Sequence, residues 1–142
     1  MKRHIIWFAA SLLISCFVQM NAIAQHASLP AKASGPRITF EEKSHDFGDI
    51  QQGDKVSYTF KFTNTGTQPL VIAKVETTCG CTATHWTKDP IEPGKTGELS
   101  ATFNSTGKKS TQRKVIKIYS NATNPEETVT IVTNVLTASD KQ

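Results

Sequence analysis

Two cysteines, Cys79 and Cys81, lie one residue apart in the segment ETTCGCT. Thiols at this spacing can be small core residues, a disulfide, or two ligands of a soft metal ion. Along an extended strand, side chains two residues apart point to the same face, so both cysteines would continue the alternation of Val71, Ala73 and Val75. In this interpretation they are structural residues that close one edge of a core.

A disulfide between the same two residues is the second interpretation. In an extended strand their Cα atoms would be about 6.5 to 7 Å apart, near or beyond the upper limit for a bridge. Gly80 tolerates dihedral angles that other residues avoid, so it could supply the necessary bend. Because the closed loop is so short, the bond would stabilise the fold little. Cys79 and Cys81 would then be a redox-active pair or a local pin on a turn.

Metal binding is the third interpretation, with Cys79, Cys81 and His85 as ligands for Cu(I) or Zn(II). A structural zinc site normally has four protein ligands, and nothing in its spacing recruits His45. Both methionines, at positions 1 and 20, precede what reads as the mature N-terminus, so no thioether is left for copper. The sequence therefore predicts no metal and no other cofactor, and the three-ligand set remains the alternative.

The sequence does not indicate catalysis. A cysteine with His85 as base and Asp89 as orienting acid comes nearest to a nucleophilic site, but nearness in sequence does not establish contact in a β-structure. His45 and Asp46 are more typical of a turn in which the carboxylate accepts bonds from nearby amides. No Gly-x-Ser-x-Gly elbow or phosphate-binding glycine loop is present. We therefore predict a protein that is not an enzyme and has no catalytic residues.

The first 24 residues have the pattern of a secretory signal peptide. Basic residues precede an apolar run over 5–18, and the small residues Ala22 and Ala24 predict cleavage before Gln25. The run is shorter than the about 20 residues of a membrane span. A lipid anchor at Cys16 is the alternative, since a small residue precedes that cysteine. We predict a secreted or periplasmic chain with no membrane span after signal removal.

The mature chain is expected to hold one domain. We assign residues 25–36, rich in alanine, serine and proline, to a flexible linker, residues 37–137 to the domain, and residues 138–142 to a tail. Loss of two basic residues with the signal lowers the formal charge from +4 to +2. The remaining charges are mixed along the chain, so no nucleic-acid partner is predicted.

The apolar residues of the domain recur with period two, which is typical of half-buried strands. The clearest case is residues 56–63, where apolar and polar side chains alternate strictly. About seven short strands separated by turn residues predict an antiparallel β-sandwich. The aromatic side chains expected at its centre are Phe47, Phe60, Phe62 and Phe103.

These segments resemble one known family. The ordered combination of F-x-N-x-G-x-x-P-L-x-I, C-G-C-T and P-I-x-P-G is similar to domain of unknown function 1573, found in secreted or lipid-anchored bacterial proteins common in Bacteroidetes. The resemblance covers residues 38–135. It implies an immunoglobulin-like fold akin to Hydin-type modules and no established activity. Two departures concern hairpin geometry: Ser110-Thr111-Gln112 replaces a glycine-plus-aromatic step, and Thr133 replaces a glycine.

The functional prediction is therefore a non-catalytic module of the cell envelope that acts by protein contact. Its partner would be an unknown envelope protein that binds an open strand edge or the loops around the cysteines. The predicted interaction face comprises Trp86, Pro90, Ile91 and Pro93. The alternative is a periplasmic metal-binding or thiol-redox protein centred on the two cysteines.

Overall fold

The computed structural model describes residues 34–141. The predicted signal peptide, the lipid-anchor alternative at Cys16 and most of the predicted linker lie outside this range. Within it, no helix is long and apolar enough to cross a membrane. The strands are β1 (Ile38–Phe40), β2 (Ser44–Gln51), β3 (Lys55–Asn64), β4 (Ile72–Thr77), β5 (Thr82–Trp86), β6 (Thr96–Asn104), β7 (Ser110–Ser120) and β8 (Glu126–Leu136). A 3-10 turn over Ala138–Lys141 follows, within the predicted tail.

Two four-stranded sheets pack face to face, so the predicted all-β sandwich is confirmed. One sheet has the order β1-β3-β6-β5 and the other β2-β8-β7-β4. The chain thus contributes its first strand to one sheet and its second to the other. Pairing is antiparallel except between β2 and β8, which run parallel. The described residues therefore form eight strands, one more than the period-two pattern indicated.

Strict alternation in β3 explains how the core is filled. Phe60 and Phe62 are each 1% exposed and meet Phe103 of β6, which is fully buried. The predicted aromatic centre is correct for these three residues. Phe47 differs, because it is only partly buried and packs against the edge of the core.

The domain begins slightly before the predicted boundary. Gly35 and Pro36, assigned to the linker, are buried, and both have backbone bonds to the domain. The Gly35 carbonyl accepts a bond from the Thr67 amide at 2.8 Å, and the Pro36 carbonyl accepts one from Thr123 at 2.8 Å. These bonds fix the chain at the point where it enters β1.

Two irregularities alter the predicted strands. In β4 the register shifts between Ile72 and Lys74, so Ile72 rather than Ala73 is buried. The alternation expected from Val71, Ala73 and Val75 is therefore wrong, because a bulge changes which residues face the core. In β2 the register shifts between Asp46 and Asp49. The alternation of buried and exposed residues is therefore interrupted within this eight-residue strand, and period two does not indicate it.

Candidate functional site

The two cysteines lie in the turn that joins β4 to β5, not in a strand. A disulfide joins Cys79 to Cys81, and their Cα atoms are 5.3 Å apart. This separation is shorter than the about 6.5 to 7 Å of extended backbone because the chain bends at this turn. β4 and β5 are edge strands of opposite sheets. The disulfide therefore closes the turn by which the chain crosses from one sheet to the other.

Backbone bonds anchor this turn to both sheets. The Thr78 amide donates to the Val115 carbonyl at 3.2 Å, and the Asn104 amide donates to the Cys81 carbonyl at 3.0 Å. The Thr77 hydroxyl also donates to the Cys79 carbonyl at 2.9 Å. The turn is thus held by β7 on one side and by β6 on the other, independently of the sulfur atoms.

The disulfide is only partly covered. Cys81 packs against the core, and Cys79 lies with its Sγ 3.9 Å from the Thr82 hydroxyl. Gly80 is exposed, and a Cβ built on it would meet nothing within 4 Å. A thiol reagent or a protein surface can therefore approach the turn from solvent.

The metal alternative finds no support in this geometry. The two sulfurs are bonded to each other, and His85 is exposed on β5. Within residues 34–141 no three His, Cys, Asp or Glu side chains form a group able to hold a metal ion. The structure therefore does not bring Cys79, Cys81 and His85 together as a ligand set.

Trp86, at the end of β5, closes the sandwich beside the turn. Its side chain is half-buried against the core, and its Nε1–H is buried with no acceptor among the described residues. The Lys88 ammonium lies 3.0 Å from the ring centroid, within the range of a cation–π contact. The half-buried indole thus has one face covered by a cation, while its N–H group points into the domain.

The residues of the predicted interaction face differ in their exposure. Pro90 and Pro93 are exposed, and Pro93 lines a pocket with residues 63–66 at the end of β3. Ile91 is only 4% exposed, because it exchanges two backbone hydrogen bonds with Leu70 and belongs to the core. Ile91 is therefore unavailable to a partner.

A second cluster, which the sequence did not indicate, lies where the chain passes from β1 to β2. The His45 ring stacks on the Tyr58 ring with centroids 3.6 Å apart, and the Tyr58 hydroxyl donates to a Glu42 carboxylate oxygen at 2.8 Å. That hydrogen bond is the main cause of a raised Tyr58 pKa. Asp46 accepts the predicted bond from a nearby amide, that of Gly48 at 2.8 Å, but it does so at the bulge of β2, so the predicted turn at His45 and Asp46 is wrong.

An ion pair ties this cluster to the last strand. The Lys43 ammonium lies 2.7 Å from a Glu127 carboxylate oxygen. Burial raises the pKa of Glu127, but hydrogen bonds from Lys43 and Asn124 outweigh it, and the net pKa lies below the usual value.

Comparison with protein families decides the relationship of the chain. A family model described as "Protein of unknown function (DUF1573)" matches residues 38–135, more than half of the sequence. The chain belongs to this family. The resemblance drawn from the motifs is thereby confirmed. A search of curated proteins gave no significant match.

Solved structures share the fold of this DUF1573 chain at low identity. A protein of unknown function from Porphyromonas gingivalis matches with a TM-score of 0.63 and 18% identity, over 75% of this chain and 51% of that one. The ASH or PapD-like domain of human CEP192 matches with a TM-score of 0.60 and 11% identity, over 73% of this chain and 88% of that one. The secreted serine protease VesC from Vibrio cholerae matches with a TM-score of 0.54 and 14% identity, over 70% of this chain and 23% of that one. The chain spans about half of the first protein and under a quarter of VesC, and this likeness shows the fold alone.

Most motif residues of this DUF1573 chain are structural. Asn64 is fully buried: its Oδ1 accepts bonds from the Arg37 and Gly66 amides, and its Nδ2 donates to the Gln68 and Ile91 carbonyls. Any Cβ on Gly66 would collide with the backbone of the entering strand. The F-x-N-x-G motif therefore ties three loops together, whereas the C-G-C turn combines the core contact of Cys81 with the exposed Gly80.

The two departures from the family pattern have local consequences. Ser110, which stands where a glycine is often found, begins β7 with a φ of 59°, in the left-handed region. Thr133, in place of another glycine, donates a hydrogen bond to the Gly48 carbonyl at 2.8 Å and supports the bulge of β2. The first substitution strains the hairpin, and the second stabilises the neighbouring strand.

Proposed function

We propose that this chain is a non-catalytic module of the bacterial cell envelope that acts by protein contact. The observation that carries the proposal is the open edge of β5, which lies beside the exposed disulfide turn and Trp86. Export by the predicted signal peptide would place the module outside the cytoplasm. The family description and the β-sandwich fold agree with a contact role and name no activity.

The open edge follows from the hydrogen-bond pattern of β5 and β6. The Asn104 amide bonds to the Cys81 carbonyl, and the Thr87 amide bonds to the Glu98 carbonyl. In an antiparallel ladder, hydrogen-bonded pairs alternate with unbonded ones, so the odd-numbered residues of β5 face β6. The N–H and C=O groups of Thr84 and Trp86 therefore point away from the sheet, where a partner strand can bind them.

Side chains around this edge supply specificity. The Trp86 ring and the Lys88 ammonium above it combine apolar area with positive charge. Aromatic residues in such positions commonly dominate the affinity of protein interfaces. Pro90, four residues after Trp86, adds an exposed ring without a backbone donor, whereas Pro93 lies beside the end of β3.

The test is a pull-down of envelope proteins with purified wild type and variants. We expect Trp86→Ala and the milder Trp86→Phe to lose captured partners, while Tyr119→Ala, on the other sheet, keeps them. Because Trp86 also packs against the core, each variant is first shown to be folded by urea unfolding. Unchanged capture by folded Trp86 variants would contradict the proposed face.

A second candidate function is thiol–disulfide exchange, favoured by the bonded cysteines in an accessible turn. A thiolate of an external dithiol protein would attack one sulfur, form a mixed disulfide and release the other cysteine as a thiolate. The partner's second thiolate would then displace the first cysteine, which leaves two thiols here and a disulfide on the partner. The test is a redox titration against glutathione, with alkylation and mass measurement as readout. Reversible reduction within the glutathione range supports exchange, and a bond that stays closed throughout excludes it.

A further inference from the structure

The edge of β3 is left uncovered where the chain changes sheets. β1 pairs only with residues 62–64 of β3, and the last bond of this ladder runs from the Glu41 amide to the Lys61 carbonyl at 3.0 Å. The chain then crosses to the other sheet and begins β2 at Ser44. The part of β3 from Lys55 to Thr59, called the β3 gap below, therefore has a neighbour on its β6 side alone.

The β3 gap presents peptide groups in a regular row. The Ser105 amide bonds to the Asp54 carbonyl, and the Asn64 amide bonds to the Lys95 carbonyl, so the even-numbered residues of β3 face β6. The N–H and C=O groups of Lys55, Ser57 and Thr59 consequently point outward. They alternate over five residues, about 16 Å of strand, a spacing that matches another extended backbone.

Other edges on this side of the sandwich are protected. The Asn124 side chain covers the outer edge of β1, since its Oδ1 accepts a bond from the Ile38 amide at 3.3 Å and its Nδ2 donates to the Ile38 carbonyl at 2.9 Å. β2 is interrupted by its bulge and carries Asp46 and Asp49 around it. Caps, bulges and charges of this kind keep edges from pairing. The β3 gap has no such cap among the described residues.

A cleft of about 180 Å³ lies beside Thr59, the C-terminal end of the β3 gap. It is lined by Glu41, Glu42, Tyr58, Thr59 and Lys61. The Tyr58 hydroxyl, with the His45 ring stacked against its own ring, holds the Glu42 carboxylate in place. In the described part of the chain, neither Glu41 nor Glu42 forms an ion pair. Two carboxylates and one ammonium leave the cleft with net negative charge.

We infer that the β3 gap binds an extended peptide segment as an added strand, with a lysine or arginine of that segment seated in the acidic cleft. The inference rests on the proposed contact function but uses the flank opposite Trp86. The outward peptide groups supply backbone hydrogen bonds that do not depend on sequence. The two carboxylates select a basic side chain at one position, and the half-buried Val56 and Tyr58 face the inward side chains of the bound segment.

The experiment uses synthetic peptides and the full mature chain. The probe is a capped octapeptide of alternating valine and threonine with one central lysine, and the readout is amide hydrogen exchange and chemical shift by NMR. We expect slower amide hydrogen exchange and changed chemical shifts at Ser57 and Thr59 at peptide concentrations up to about 5 mM. A short unconstrained strand is expected to bind with a Kd of about 1 mM. Replacing the peptide lysine by glutamate, or the protein's Glu42 by glutamine, is expected to weaken binding about two- to fivefold.

Backbone chemistry keeps the test independent of protein folding. A peptide N-methylated on the amides of one edge cannot donate to β3 from that edge, so binding should disappear for one of the two N-methylation patterns and persist for the other. Shifts at Thr84 and Trp86 instead of Ser57 would overturn the inference while leaving the proposed function intact. No protection at either edge, or equal binding of the lysine and glutamate peptides, would also overturn it. Unchanged partner capture by folded Trp86 variants, with an intact peptide response, would reject the β5 site alone.

Discussion

Asn64→Ala is expected to destabilise the domain by about 3 to 5 kcal/mol, because the buried amide satisfies four backbone groups at once. Alanine would leave the Gly66 amide without a partner in the interior and would remove one of the two bonds that the Ile91 carbonyl accepts, since the Leu70 amide still donates to that carbonyl. The unsatisfied Gly66 amide contributes about 1.5 to 3 kcal/mol, the lost bond to the Ile91 carbonyl about 0.5 to 1 kcal/mol, and the two part-buried bonds to Arg37 and Gln68 about 0.5 kcal/mol each. A domain of this size has a total stability of about 5 to 15 kcal/mol, so the loss is large.

Urea unfolding measured by far-UV circular dichroism gives the free energy directly for a two-state domain. With a slope m of about 1.5 kcal/mol/M, the expected loss lowers the midpoint by about 2 to 3 M. Asn104→Ala is the matched control, since its half-buried side chain bonds only to Thr106. The control should lose less than about 1 kcal/mol. Equal losses for the two asparagines would refute the role given to the buried amide network.

Further outcomes follow from single features of the fold. Ser110→Gly should raise the unfolding free energy by about 0.5 to 1 kcal/mol, because glycine relieves the left-handed backbone strain; a lower urea midpoint would contradict this. Gly66→Ala should cost more than about 2 kcal/mol in the same assay, whereas alanine at the exposed glycine between the cysteines should cost under about 0.5 kcal/mol. The double variant Cys79→Ser, Cys81→Ser should lose less than about 2 kcal/mol, because its loop is so short, and a collapse of the fold would show that the bond is essential. Glu127→Gln should be less stable than wild type at neutral pH, with the difference shrinking as pH falls below about 4.3, since a carboxylate with a lowered folded-state pKa stabilises above its unfolded pKa; a constant difference from pH 7 to pH 3 would contradict the assignment.

Strands with one buried face were predictable from the sequence, and strands with bulges were not. In β3 each step of two residues returns to the core, so Phe60 and Phe62 identify both the strand and its buried face. In β2 the bulge after Asp46 breaks that period, and five of the eight residues of the strand are exposed. Its parallel pairing with β8 depends on a partner about 85 positions away, which no local pattern encodes.

In the candidate site, too, local features were predictable from the sequence and features that depend on distant parts of the chain were not. The cysteine pair is identifiable because thiols are rare in this chain, yet its geometry depends on the turn after β4, which an extrapolation of strand alternation does not predict. The sequence predicts Ile91 on the interaction face, but its bridge to Leu70 is a long-range contact that no local pattern indicates. The β3 gap was not predictable at all, since it exists only where the chain passes from one sheet to the other.

The parallel pairing of β2 with β8 also has a mechanical consequence. A tensile load applied to the polypeptide on both sides of the domain pulls these adjacent strands in opposite directions along their own length. Their connecting bonds lie across the direction of pull, so they must fail together and not one after another. The β2–β8 pair therefore has the geometry of a shear clamp, in which sliding one strand past the other breaks all their bonds at once.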